Sequence, residues 1–299
     1  MADSDTITRN AKSNLAFTLM DLPEEKRTRM AQFYAFCRIV DDIVDEPGMT
    51  PEERHAALDR WAALITGSAE PEPGIEEEVC QLVSALQLDT RPMLTLIAGC
   101  REDIAHVQPA TRRELLAYCY KVAACVGITS ATVMGASPAA YDYAIALGYA
   151  LQFVNILRDV PEDYQKYGRI YLPADDMEFF GVSAEDIREQ RYSYRMRQLL
   201  AYEAAIADKF FSEAAERYDK LPVADRNALI PAQAMSLIYR NILVKMRGDD
   251  YRIFERRYSV NNFRKLIFLL RARLGTMEFP EIEWNFLRSF REQKQQKNS

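Results

Sequence analysis

Apolar residues recur at three- and four-residue spacings along almost the whole chain, while alternating β-branched runs bounded by turn residues are scarce. The pattern predicts an all-α protein. Helices are expected over 24–46, 52–66, 75–88, 92–106, 112–135, 139–164, 192–218, 223–247 and 262–274. The breaks between them are short: Pro47-Gly48, the Glu70-Pro71-Glu72-Pro73-Gly74 turn, Ser137-Pro138 and Gly168. No linker or tandem repeat interrupts the pattern, so residues 1–299 are expected to form one domain, with 291–299 as a flexible, solvated tail.

Two stretches, 122–141 and 143–157, lack Asp, Glu, Lys and Arg altogether. The first is broken by Gly127, Gly135 and Pro138, and the second is too short to span a bilayer, so both read as buried core helices. The formal charge of -6 disfavours nucleic-acid binding, which needs many cations to neutralise phosphates. The five cysteines form no CxxC pair and the N-terminus shows no secretory pattern, pointing to a reducing cytoplasm. Peripheral contact with a membrane stays open, because a basic tail follows the apolar Ile267, Phe268, Leu269 and Leu270. His55 and His106 are the only histidines, so carboxylates are the richer source of chemistry.

The stretch FYAFCRIVDDIVDE, residues 33–46, places Tyr34, Arg38, Asp41 and Asp45 within an arc of about 60° on one helix, taking 100° per residue. Phe33, Cys37, Val40 and Val44 form the adjacent apolar stripe. Asp42 points about 100° away from Asp41 and is a weaker candidate ligand. Alone, such a stripe reads first as a solvent face.

A second stretch, QFVNILRDVPEDYQKYGRIYLP from residue 152, changes that balance. Gln152, Asn155, Asp159 and Asp163 share an arc of about 80°, and Ala144 and Gly148 extend the face with little bulk, leaving room for another group. The helix is almost uncharged before Arg158, so these carboxylates are expected to be deep and to need a partner. Mg²⁺ fits, because it takes hard oxygen ligands from a few carboxylates and completes its shell with water and substrate phosphates. Arg38, Arg158 and Arg169 would add fixed positive charge beside a diphosphate. Pro161 is expected either to kink this helix or to end it near Asp159.

These two aspartate motifs resemble those of the squalene/phytoene synthase family, which joins two prenyl diphosphates head to head. The resemblance extends to Leu22-Pro23, to YCYKVAACVG at 118–127 and to the tyrosine and arginine of the 239–256 region. It implies an isoprenoid-synthase-type helical bundle around a central cavity. It also implies Mg²⁺ ligation by Asp41, Asp45, Asp159 and Asp163 with support from Asn155, and diphosphate contacts from Arg38 and Arg256. Tyr34, Tyr171 and Tyr239 would line the reaction centre, and Tyr118 and Gly127 the cavity wall. The family's Ser-x-Ser-Phe stretch is replaced here by Lys12-Ser13-Asn14-Leu15, so Asn14 or Lys12 is expected to take over a serine contact.

The favoured reaction is condensation of two farnesyl diphosphates to presqualene diphosphate or a squalene-type C30 product. Phytoene synthesis from two geranylgeranyl diphosphates is the alternative. A Rossmann fingerprint for NADPH is absent, although family members that use NADPH do so without one, which leaves its use open. The second motif and its GRIYLP continuation argue against a terpene cyclase or head-to-tail elongase. A non-catalytic assembly factor of the same fold would be expected to lose aspartates that this chain keeps.

Overall fold

The protein is described by a computed structural model covering residues 4, 6, 8, 14–19, 22–45, 47–105 and 107–275, with position 16 as backbone only. His106, Lys12, Ser13 and the expected tail 291–299 lie outside the described residues. Among the described residues there are helices and no strands, as the hydrophobic period requires. Their order is α1 (Asn14–Leu19), α2 (Glu24–Asp45), α3 (Pro51–Ile65), α4 (Ile75–Leu86), α5 (Arg91–Ala105), α6 (Arg112–Cys119), a π-helical turn (Tyr120–Ala124) and α7 (Cys125–Val133). Then follow a 3₁₀ turn (Pro138–Ala140), α8 (Tyr141–Tyr167), α9 (Ala174–Phe180), α10 (Ala184–Arg188), α11 (Tyr194–Asp219), α12 (Val223–Ala228), α13 (Ile230–Gly248) and α14 (Asn262–Leu274).

Local chemistry sets several boundaries. Thr50 and Glu53 form a reciprocal capping box in front of Pro51, which satisfies donors that the first turn of α3 would leave open. α8 continues through Pro161 to Tyr167, so it does not end near Asp159; Gly168, at φ 65°, terminates it instead. The helix expected over 112–135 is three segments, because the amide of Cys125 reaches back five residues to the carbonyl of Tyr120 and opens a π turn. The helix expected over 223–247 is split at Leu229, ahead of Pro231, which sits where its missing donor costs nothing. Four described helices of five to seven residues, α1, α9, α10 and α12, are too short to impose a hydrophobic period of their own.

α8 is the central element. It packs along α11 on one side and against the π turn and α7 on another. On α2, Phe33, Phe36, Val40 and Val44 are buried, and each phenylalanine contributes roughly 1.5–3 kcal/mol by leaving water. Small residues permit the closest helix approach. A methyl on Gly148 would lie 2.8 Å from the Ala124 Cα, and one on Gly127 would lie 2.7 Å from the Ala144 carbonyl oxygen. The space left by Ala144 and Gly148 is therefore filled by the neighbouring helix rather than by a ligand, and Gly127 packs helix on helix instead of forming cavity wall.

Residues 112–133 are the one described stretch long and apolar enough to cross a membrane. Here that stretch packs against α5 and α8, and two of its partly exposed apolar side chains, Val122 and Val126, face an internal cavity.

Candidate active site

α2 and α8 do not pack tightly on each other. Between them lies a cavity of about 740 Å³, reached by Tyr34, Arg38, Asp41 and Asp45 from α2 and by Gln152, Asn155, Asp159 and Asp163 from α8. Helical spacing, which stacks residues four apart, is what brings each set to one face.

The first cluster is only partly neutralised. The Asp41 side chain is 60% exposed, toward the cavity, yet it sits deep inside the protein envelope. Burial there, reinforced by the charge of Asp45 and opposed by Arg38, pushes its carboxyl up to about 7. Arg38 Nη1 is 3.6 Å from Asp41, while its Nε donates to Asp42 Oδ2 at 3.0 Å; Asp42 itself does not line the cavity. Asp45 accepts from Arg169 Nη1 at 2.6 Å, and that guanidinium lies 4.7 Å from the Tyr167 ring centroid. Gly168 makes this contact feasible by reversing the chain, so that the Arg169 amide donates to the Asp163 carbonyl at 3.1 Å.

The second cluster carries a tighter clamp. Arg158 Nε donates to Asp159 Oδ1 at 2.9 Å, and Arg257 Nε reaches the same oxygen at 3.0 Å and Glu162 at 3.1 Å. Burial raises the proton affinity of Asp159, but the two arginines overcome it and hold the carboxyl below its ordinary range. The same pairing keeps Arg158 firmly charged despite its burial. Asp163 has no such clamp. Burial and the neighbouring Asp159 charge push it up to about 8, with Arg169 opposing.

Among the described residues no three acidic, His or Cys side chains converge into a ready cation cage. The donors nevertheless suit a divalent metal shared with a ligand. Burial first, then the charge of a neighbouring aspartate in each motif, raises Asp41 and Asp163 toward neutral pH, and among the described residues the buried Asn155 Oδ1 has no hydrogen-bond partner. An unpaired amide oxygen beside raised carboxylates is a hard-oxygen set that suits a divalent cation.

Tyr34, Tyr118, Tyr171 and Tyr239 line the cavity, as do Arg38, Arg158 and Arg169. Asn14 lines it as well. Arg256 does not: its Nε is 3.2 Å from Asp249, and Arg257 takes the cavity position instead. The Arg-Arg doublet offered no signal for choosing between neighbours. Asp103 and Lys265 also enter the cavity wall unforeseen. Asp103 was traceable, since it follows Leu96 and Cys100 at helical spacing and so places a carboxylate on the apolar stripe of α5.

With that geometry in hand, the family model described as Squalene/phytoene synthase matches residues 8–264. Phytoene synthase 1 of Solanum lycopersicum, chloroplastic, is 36% identical over 264 residues, covering 84% of this chain and 62% of the relative. Phytoene synthase 2 of the same plant is 35% identical over 87% of this chain and 84% of the relative. A crystal structure of a dehydrosqualene synthase superposes with a TM-score of 0.76 at 28% identity, covering 92% of this chain and 96% of that one. Squalene synthase HpnC from Alicyclobacillus acidocaldarius gives 0.72 at 28%, covering 83% and 93%. The chain belongs to the squalene/phytoene synthase family, whose members are prenyltransferases that use a divalent metal.

Proposed function

We propose that this protein condenses two all-trans prenyl diphosphates head to head, with Mg²⁺ bound by Asp41, Asp45, Asp159 and Asp163 and with release of diphosphate. The observation that carries this reading is the pair of acidic helices facing each other across one arginine-rimmed cavity. Bound Mg²⁺ would supply positive charge to the departing diphosphate. Arg38, Arg158, Arg169 and Arg257 would bind and orient the same phosphates, exchanging their carboxylate partners for phosphate oxygens. Diphosphate loss leaves an allylic cation, which the C2=C3 bond of the second substrate attacks before proton loss closes a cyclopropane. The faces of Tyr34, Tyr171 and Tyr239 stabilise such a cation, and apolar wall residues such as Val122 and Val126 exclude the water that would quench it.

Two farnesyl diphosphates, giving presqualene diphosphate or a squalene-type C30 product, are the first substrate reading, supported by the dehydrosqualene and squalene synthase structures. Two geranylgeranyl diphosphates are the second, favoured by the names of the plant relatives. Purified protein is incubated with each diphosphate and Mg²⁺, with and without NADPH, and the products are identified by mass. Conversion of neither would overturn the enzyme reading; conversion of one alone decides the chain length.

Cytoplasmic residence, with peripheral contact at a lipid surface for product release, completes the proposal. Phe263, Leu266, Leu270 and Leu274 form an exposed stripe along α14, which packs on α13 and supplies Lys265 to the cavity wall. Co-sedimentation with anionic vesicles that Leu270→Glu weakens would support this contact; no sedimentation of the wild type would remove it.

A further inference from the structure

Asp103, on α5, belongs to neither aspartate motif, yet it is the acceptor for two cavity tyrosines at once. Tyr118 donates its hydroxyl to Oδ2 at 2.8 Å and Tyr171 donates to Oδ1 at 2.8 Å. The two rings are stacked, with centroids 5.1 Å apart and planes inclined by 20°. They come from distant places in the chain, Tyr118 from the end of α6 and Tyr171 from the loop after α8, so ring stacking alone leaves their rotation and register weakly fixed. A carboxylate with one oxygen for each hydroxyl fixes both.

We propose that Asp103 is a positioning residue for the condensation: its carboxylate takes both phenolic hydrogens and fixes the Tyr118–Tyr171 stack as an electron-rich wall beside the allylic cation. The inference rests on the prenyl-condensation reading. Three physical effects combine. The phenolic hydrogens are committed to Asp103, so the tyrosine oxygens turn lone pairs rather than donors toward the remaining space. Donation to a carboxylate makes each ring a better partner for a cation. The negative charge is also kept out of covalent reach, since the hydroxyls cap it, so the cation is stabilised without being trapped. Burial raises the proton affinity of Asp103, and the charge of Arg169, which pairs with Asp45, and the two tyrosine hydroxyls oppose that rise.

The proposal separates two steps that a merely structural carboxylate would disturb together. Diphosphate binding and ionisation depend on the metal ligands and arginines; productive capture of the cation depends on the tyrosine wall. Asp103→Asn, with farnesyl diphosphate, geranylgeranyl diphosphate and Mg²⁺ as probes, is therefore expected to preserve the thermal stabilisation given by inorganic pyrophosphate with Mg²⁺. The ratio of condensed product to released diphosphate should fall by at least about tenfold, with free prenyl alcohol making up the difference. In the Tyr118→Phe/Tyr171→Phe background the same substitution should add less than about twofold. A parallel fall in release and condensation, or loss of the pyrophosphate effect, would overturn the proposal, the latter by making Asp103 a metal ligand.

A readout independent of turnover guards against misfolding and against failure of the enzymatic reading. Ultraviolet resonance Raman bands of the tyrosine ring, which report hydroxyl hydrogen bonding, should show two donating tyrosines in the wild type that weaken in Asp103→Asn, and Tyr118→Phe/Tyr171→Phe should remove that difference. No change in those bands overturns the geometry even if the protein proves inactive. Absence of diphosphate release from wild type, by contrast, overturns the enzymatic reading alone.

Discussion

The two aspartate motifs have the same spacing in sequence and different electrostatics in the fold. In the α2 pair, Asp41 faces the cavity with 60% of its side chain exposed, and only Asp45 is held by a close arginine contact. In the α8 pair, Asp159 is 15% exposed and locked between Arg158 and Arg257, while Asp163 is left to burial and repulsion. Each motif thus combines one clamped carboxylate with one raised carboxylate. The difference is the strength of the clamp. The α8 motif holds two guanidinium groups on one carboxylate, whereas the α2 motif presents a carboxylate already open to the cavity.

The largest test of this comparison removes one carboxylate from each side. Asp41→Ala and Asp159→Ala are each expected to lower turnover by about 10²–10³-fold or more while far-ultraviolet circular dichroism stays helical. Full activity in either variant removes the paired-cluster mechanism. Next comes the clamp itself: Arg257→Ala should cost on the order of 10–100-fold in kcat/KM, against less than about threefold for Arg256→Ala. The reverse order would assign the diphosphate contact to Arg256 after all.

A pH series sharpens the contrast further. Asp41 and Asp163 bind protons more tightly in the folded metal-free protein, at about 7 and about 8, than in the unfolded chain, near 4. The native state therefore holds more protons between those limits, and metal-free stability should fall as pH rises from about 4 to about 8. Mg²⁺ with pyrophosphate competes with those protons, so its affinity should rise over pH 6 to 8.5. Melting temperatures and calorimetric titration check both signs; a pH-independent Mg²⁺ affinity would contradict the raised carboxylates. The smallest effect is away from the site. Gly127→Ala should destabilise by about 1–3 kcal/mol in urea without altering product identity, because the added methyl meets helix backbone. A changed product would restore Gly127 to the cavity wall.

The helical fold was readable because long amphipathic segments carry their own period, and the cavity face of α2 and α8 followed from 100° geometry alone. What sequence reasoning lost were features decided by neighbours. Whether Arg256 or Arg257 enters the cavity depends on the path of the loop after Asp250 and Tyr251, both at positive φ, and not on local composition. The small face of Ala144 and Gly148 signalled close approach correctly but not what approaches, since a ligand and a helix backbone exploit the same missing bulk. Asp103 gave a local signal in its helical spacing from Leu96 and Cys100, but its partners, Tyr118 and Tyr171, are joined to it only in three dimensions.

The π turn at Tyr120–Ala124 sets the rotational phase of one whole wall. Tyr118, Val122, Val126 and Ser130 all face the cavity at a constant interval of four, yet an ideal α-helix drifts by about 40° at each such step. The extra residue absorbed by the wide turn pulls that drift back. A regular α-helix of the same length would swing everything on one side by about 100°, so the wide turn, more than the composition of this segment, is what keeps the tyrosine and the cavity-facing valines in one line.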